Sequence, residues 1–184
     1  MTKNTERKAV DKVFILLGSA MTVVLLFIGG LAWYGHTFAT GMVTEQLSAQ
    51  KIYFPERDSA GFKGLSAEHQ VEVERFAGQQ LTTGEQAKVY ANNYIGAHLE
   101  NIGGGKTYAE ISEEAKANPT DVKLQQQKTS LFQGETLRGM LLGTGYAFWI
   151  FGMIAKYVAL SALAGAAIMA LLVVLGLRHL AKIK

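Results

Sequence analysis

The chain has no cysteine. That absence removes disulfides, thiolate zinc sites, iron–sulfur clusters, covalent CxxCH haem attachment and a cysteine nucleophile. Charge is missing in two stretches: Val13 to Gly35 carries none, and Met140 to Leu177 carries only Lys156. The C-terminal tail lacks acids, with Arg178, Lys182 and Lys184 unopposed. The N-terminal tail sets Lys3, Arg7, Lys8 and Lys12 against Glu6 and Asp11. Phe38 to Ala155 holds ten Lys/Arg against thirteen Asp/Glu, so the net charge of +3 resides in short tails beside apolar segments. Anionic headgroups attract such tails at roughly 1 kcal/mol per charge. A nucleic-acid footprint would put its basic residues on the folded middle, and that class is excluded.

What the chain does have is two apolar runs at its ends. Val13 to Gly35 would be about 35 Å long as a helix, enough for a hydrocarbon core of about 30 Å. Lys12 precedes it, and Trp33 and Tyr34 stand at its far end as interface anchors. The run exceeds a signal-peptide core of about 7–15 residues, so an uncleaved anchor is expected. Met140 to Leu177 would reach about 57 Å, nearly twice a membrane. Counting back from Arg178 gives a span over 157–177. Lys156 and Tyr157 then lie at the outer interface, the ammonium snorkelling to the headgroups. Residues 140–156 either lie in the interface, anchored by Phe148, Trp149 and Phe151, or continue as a longer helix.

The positive-inside rule puts both tails in the cytoplasm. The expected architecture is an all-α plasma-membrane protein with two transmembrane helices, N-in and C-in, flanking a small extracytoplasmic helical domain. Its parts are a tail at 1–12, a span at 13–35, the outer domain at 36–139, the interfacial or extended helix at 140–156, the second span at 157–177 and a tail at 178–184. The second span carries a ladder of small residues, Ala155, Ala159, Ala162, Ala166 and Ala170, with Ser161 and Gly165 beside it. Such residues let membrane helices approach closely. They pack either on the first span, which has Gly18-Ser19-Ala20 and Gly29-Gly30, or on other subunits, or on both by different faces.

Between the spans the signals are helical. Lys51 to Glu56 reads as an extended stretch ended by Pro55, and Gly61 to Gly64 as a loop. Ser66 caps a short helix stopped by Gly78. Thr83 and Gln86 form a capping box, after which Ala87, Tyr90, Ala91, Tyr94, Ile95, His98 and Ile102 define an apolar face. Gly103 to Gly105 end that helix. Thr107 and Glu110 form a second capping box for a helix through Glu114. Beyond Pro119, Thr120 or Asp121 caps a last helix leading to the second span.

Few of these residues suggest chemistry. Gly103 to Thr107, GGGKT, lacks the glycine five residues before the GK pair that a phosphate loop needs, where Glu100 stands. His36 and His179 fall at opposite membrane faces. His69 and His98 share the domain and could meet near Glu68, Glu72 or Glu100, but a histidine on an amphipathic helix usually donates to a backbone carbonyl, and no metal site is expected. Glu113-Glu114 and Glu72/Glu74 read as solvated faces. No nucleophile has an identifiable base, so the chain is read as no enzyme and as needing no cofactor and no nucleotide.

The segment Tyr90 to Glu110, YANNYIGAHLENIGGGKTYAE, together with the upstream YFP and the downstream SLFQGETLRGMLLGTGYAF, resembles a group of small actinobacterial two-span membrane proteins. The resemblance covers the whole architecture, and GKTYAE with its flanks is its specific part. Members often carry the label of an aromatic ring-opening dioxygenase. That activity requires iron held by His and carboxylate, a set this sequence does not place on one side of the membrane. Small two-span proteins of this kind are also linked to the cytochrome bcc–aa3 respiratory supercomplex as association factors. The resemblance therefore implies a non-catalytic accessory subunit whose partners are cytochrome bc and cytochrome oxidase subunits and the lipid bilayer. The alternative is a free-standing envelope sensor or ligand-binding membrane protein.

Overall fold

The computed structural model describes residues 2–182, with side chains from Thr5 onward, so the tail charges Lys3 and Lys184 lie outside the described side chains. The chain is 83% helical, and no strand occurs among the described residues. The helices are α1 (Thr2–Ala49), α2 (Ala60–Lys63), α3 (Ala67–Glu74), α4 (Gly84–Val89), α5 (Gly96–Gly103), α6 (Tyr108–Ala117), α7 (Val122–Met140) and α8 (Phe148–Lys182). Two π-helical segments, Tyr90–Ile95 and Leu141–Ala147, join α4 to α5 and α7 to α8 without a break. Two helical runs, Thr5–Ala49 and Val122–Lys182, are long and apolar enough to cross a membrane.

The chain divides into two compact units. The first takes the described residues up to Phe38 and from Gly152 onward. Here α1 and α8 run antiparallel. Gly176 lies opposite Ile15, Val173 opposite Gly18, Leu163 opposite Gly29 and Ala155 opposite Gly35. The covered positions of α1, Ile15, Gly18, Thr22, Leu25, Gly29 and Ala32, alternate steps of three and four. Those of α8 include Ala155, Ala159, Ala162, Ala166, Met169 and Val173 at the same spacing, with Gly152, Gly165, Ala170 and Gly176 covered beside them. This seven-residue period is that of a coiled-coil seam, widened on α8 by small residues. At Gly29 an added Cβ would stand 2.8 Å from Leu163 Cδ2, so the close approach there requires glycine.

The pairing brings residues distant in sequence to common levels. The contact of Gly35 with Ala155 sets Trp33 and Tyr34 beside Lys156 and Tyr157, and that of Ile15 with Gly176 sets Lys12 beside Arg178. Between these levels both helices are uncharged for about 31 Å at helical rise.

The second unit, Ala39–Phe151, begins within α1, which continues fourteen residues past Gly35 to Ala49. Its main core gathers Val43, Leu47, Phe54, Val73, Leu81 and Ala87, and a smaller one gathers Leu99, Ile111 and Leu131. The stretch expected to be extended is held as a short tie: Leu81 N–H donates to Ile52 O and Phe54 N–H to Gln79 O, both at 2.9 Å. Both expected capping boxes are present, Thr83 with Gln86 and Thr107 with Glu110, and Asp121 caps α7 by accepting from Leu124 N–H at 3.0 Å.

Four local expectations are corrected. Gly61 to Gly64 is not all loop, because Ser59 caps a turn of helix that buries Phe62. Helix α3 stops at Glu74, and Gly78, at φ +71, closes the turn that follows. Helix α6 extends to Ala117. The apolar face expected from Ala87 to Ile102 holds through Ile95, which packs with Tyr94 on the core, and fails at Ile102. The π segment adds a residue to the helical turn, so Leu99 and Gly103 turn inward while Ile102 is 40% exposed.

Candidate functional site

The alanine ladder is the most specific feature singled out from sequence. Ala159, Ala162 and Ala166 are buried, and Ala155, Gly165 and Ala170 are half-buried, in the same unit as the first half of α1. A Cβ at Gly29 would lie 3.5 Å from Ala159 O, and one at Gly165 would lie 3.5 Å from Leu25 Cδ1. Of the two pairings open to the ladder, the structure uses it against the first span. The other faces of both helices are left open, with Phe14, Leu17, Phe27, Leu31, Ile168 and Leu171 exposed.

The expected anchors divide between the units. Trp33, Tyr34 and Tyr157 project from the helix pair, and Lys156 is half-buried beside them. His36 sits at the same level, where its Nδ1 donates to Gly152 O at 2.9 Å, and its ring meets Trp33 edge-on at 5.6 Å. Phe148 and Trp149 belong instead to the other unit and pack on its main core. The Trp149 side chain occupies the space beside Gly84 that any Cβ would fill.

Within Ala39–Phe151, the segment carrying the GKTYAE resemblance lines a cleft of about 190 Å³. Asn92, Gly96 and Glu100 reach it from the first π segment and α5, Lys106 and Thr107 from the loop, and Glu135 and Arg138 from α7. Arg138 Nη2 donates to Asn92 Oδ1 at 3.2 Å, and Nη1 stands 3.5 Å from Glu135 Oε2. Arg138 Nε is buried and has no hydrogen-bond partner among the described residues. Sequence reasoning missed this pairing, because Asn92 lies within a π turn that no residue pattern announces.

The GGGKT residues are used structurally. Lys106 Nζ donates to both carboxylate oxygens of Glu114 at 2.7 and 2.9 Å. The Thr107 amide and hydroxyl both donate to Glu110 Oε2 at 2.7 Å. The Thr107 amide, then its hydroxyl and the nearby Lys106 charge hold the Glu110 carboxyl below the usual carboxylate range. Two cations and two anions line the cleft, so it suits a small polar or zwitterionic group more than a polyanion.

The domain histidines make separate contacts. His98 Nδ1 donates to Tyr94 O at 2.7 Å, and His69 Nδ1 accepts from Asn93 Nδ2 at 3.2 Å. No group of three or more His, Asp or Glu residues positioned for a metal ion occurs among the described residues. A chain of rings runs Phe76, Phe54, Tyr90, Tyr94, His98, with neighbouring centroids 4.6–5.3 Å apart. Burial, and then the neighbouring Tyr94, push the Tyr90 phenol up to about 12. On the surface, Arg75 bridges Glu85 at 2.7 Å and Glu72 at 3.1 Å, and these bonds raise its pKa, that to Glu85 first. No protein-family model, curated protein or solved structure matches this chain.

Proposed function

We propose that this chain is a non-catalytic accessory subunit of a membrane protein complex. It spans the plasma membrane twice, with both tails in the cytoplasm and Ala39–Phe151 on the outer side. The observation that carries the reading is the pairing of two long helices across a seam rich in glycine and alanine. Glycine and alanine hold its buried positions, with Ile15, Leu25, Met169 and Val173 beside them, while Phe14, Leu17, Phe27, Leu31, Ile168 and Leu171 face outward. Faces of that composition need lipid or other membrane helices to cover them. The shared levels of the pair support the span: its uncharged length of about 31 Å matches a hydrocarbon core of about 30 Å. One border has Trp33, Tyr34, Lys156 and Tyr157, and the other has Lys12 and Arg178, which the positive-inside rule assigns to the cytoplasm.

The complex we propose is the cytochrome bcc–aa3 respiratory supercomplex, on the strength of the sequence resemblance. The test is affinity purification of the tagged chain in mild detergent, with mass spectrometry and a visible absorption spectrum of the eluate. Haem-containing cytochrome bc and oxidase subunits co-eluting in fixed ratio is the expected result. A colourless, solitary chain would sink the reading. The polar cleft at Arg138 favours a second reading, an envelope sensor that binds a small polar ligand, and that outcome would bring it forward.

A further inference from the structure

One end of the helix pair is not closed. Between α1 and α8, on the side of Arg7 and His179, a groove of about 250 Å³ opens. Its walls are Phe14, Ile15, Met169 and Val173, and its polar end is formed by Asp11 and His179. The glycines Gly18 and Gly176 also line it.

The polar end carries both signs of charge. Arg7 Nη2 stands 3.5 Å from His179 Nε2, and Lys12 and Arg178 flank the same level. Against these bases stands one carboxylate whose Oδ2 is buried, Asp11. That oxygen has no hydrogen-bond partner among the described residues, and no ion pair to Asp11 occurs among them either. A buried acceptor left without a donor is destabilising, and an ionised one more so. The missing complement is a donor with positive charge, next to a place for negative charge, at the mouth of an apolar groove.

We propose that this groove seats one phospholipid whose headgroup carries both a phosphate and a primary ammonium. An acyl chain lies along Phe14, Ile15, Met169 and Val173. The phosphate meets Arg7 and His179, and the ammonium donates to Asp11, whose carboxylate turns toward it. The headgroup assignment follows from charge complementarity. A purely anionic headgroup could place its phosphate on Arg7 and His179 but would leave the buried Asp11 oxygen without a donor. A choline headgroup has the positive charge but no N–H to give.

This inference rests on the membrane-spanning reading, and the experiment separates the two. The full chain is extracted in mild detergent with whatever subunits it retains, and then stripped of lipid. It is next equilibrated with equimolar phosphatidylethanolamine, phosphatidylcholine and phosphatidylglycerol, and retained lipid is counted by mass spectrometry. A charge-assisted hydrogen bond predicts about a tenfold preference for phosphatidylethanolamine over the other two. Asp11→Asn should lose one such lipid per chain while keeping its helical circular dichroism. Equal retention of the three lipids, or an unchanged count in Asp11→Asn, would overturn the assignment and leave the membrane reading standing. A chain that never partitions into the membrane fraction would overturn both.

Discussion

Along the helix pair the buried positions are Gly18, Gly29, Gly152, Ala159, Ala162 and Ala166, whereas in Ala39–Phe151 they include Leu81, Ile111, Val73 and Phe54. The second unit buries small residues too, among them Ala87, Ala91 and Ala115, but only there are large side chains fully buried. In the second unit the large side chains turn inward, and the surface carries ion pairs such as Arg57 with Glu74 and Arg75 with Glu85. That is the distribution water imposes. In the first unit Phe14, Phe27, Leu31 and Leu171 turn outward while glycine and alanine turn in. Burial of apolar area does not organise that unit. Close backbone approach does, which is how helices associate in a solvent as apolar as themselves.

The contrast can be broken, and the largest effect is expected in the second unit. Leu81 is fully buried, so Leu81→Ala should cost about 3 kcal/mol in chemical unfolding of Ala39–Phe151. The helix pair should be untouched. Its integrity can be read in a chain without cysteines by introducing Gly35→Cys and Ala155→Cys together. The Cβ positions there are 4.0 Å apart, within the disulfide range of about 3.5–4.5 Å. If Leu81→Ala abolished that cross-link, the two units would not be independent in the way their cores suggest.

The reverse substitution adds atoms to the seam. Gly29→Leu places a side chain where a single Cβ already stands 2.8 Å from Leu163, and overpacking of this kind costs about 2 kcal/mol. The expected readout is loss of the engineered disulfide between the two helices, with the Ala39–Phe151 unfolding midpoint unchanged. An unaltered cross-link would mean that the seam is looser than its glycine contacts indicate.

The smallest effect is electrostatic and belongs to Ala39–Phe151. The folded Glu110 carboxyl is held below its unfolded pKa. Its contribution is therefore present above the unfolded value of about 4.3 and is lost as pH falls through the folded value. Glu110→Gln should lower the thermal midpoint of Ala39–Phe151 slightly at pH 7, and the difference from the parent should shrink at pH 3. A difference that does not change with pH would assign the effect to packing.

Features set by neighbours in sequence were legible in it. The capping boxes at Thr83 and Thr107 need two residues three apart, and both formed. The long uncharged runs were legible for the same reason, and they became the two helices long enough to cross a membrane. Features that depend on helical phase were not. The π turn at Tyr90–Ile95 has no signature residue, yet it moved Ile102 outward and brought Asn92 to Arg138. Continuation of α1 past Gly35 was hidden because polar residues and Gly41 interrupt the apolar pattern there. The alanine ladder was plain in the sequence, but its partner was not, since a small-residue face fits any helix that comes close enough.

The composition of that seam also has an entropic side. Ordering a leucine or methionine at an interface freezes rotamers, at roughly 0.5–2 kcal/mol for each side chain, while glycine and alanine have none to freeze. Ala159, Ala162 and Ala166 meeting Gly29 and its neighbours can therefore dock with almost no loss of side-chain freedom. Most of the large, rotamer-rich residues of both helices lie outside the seam, where contacts with them can form and break without first undoing the pair.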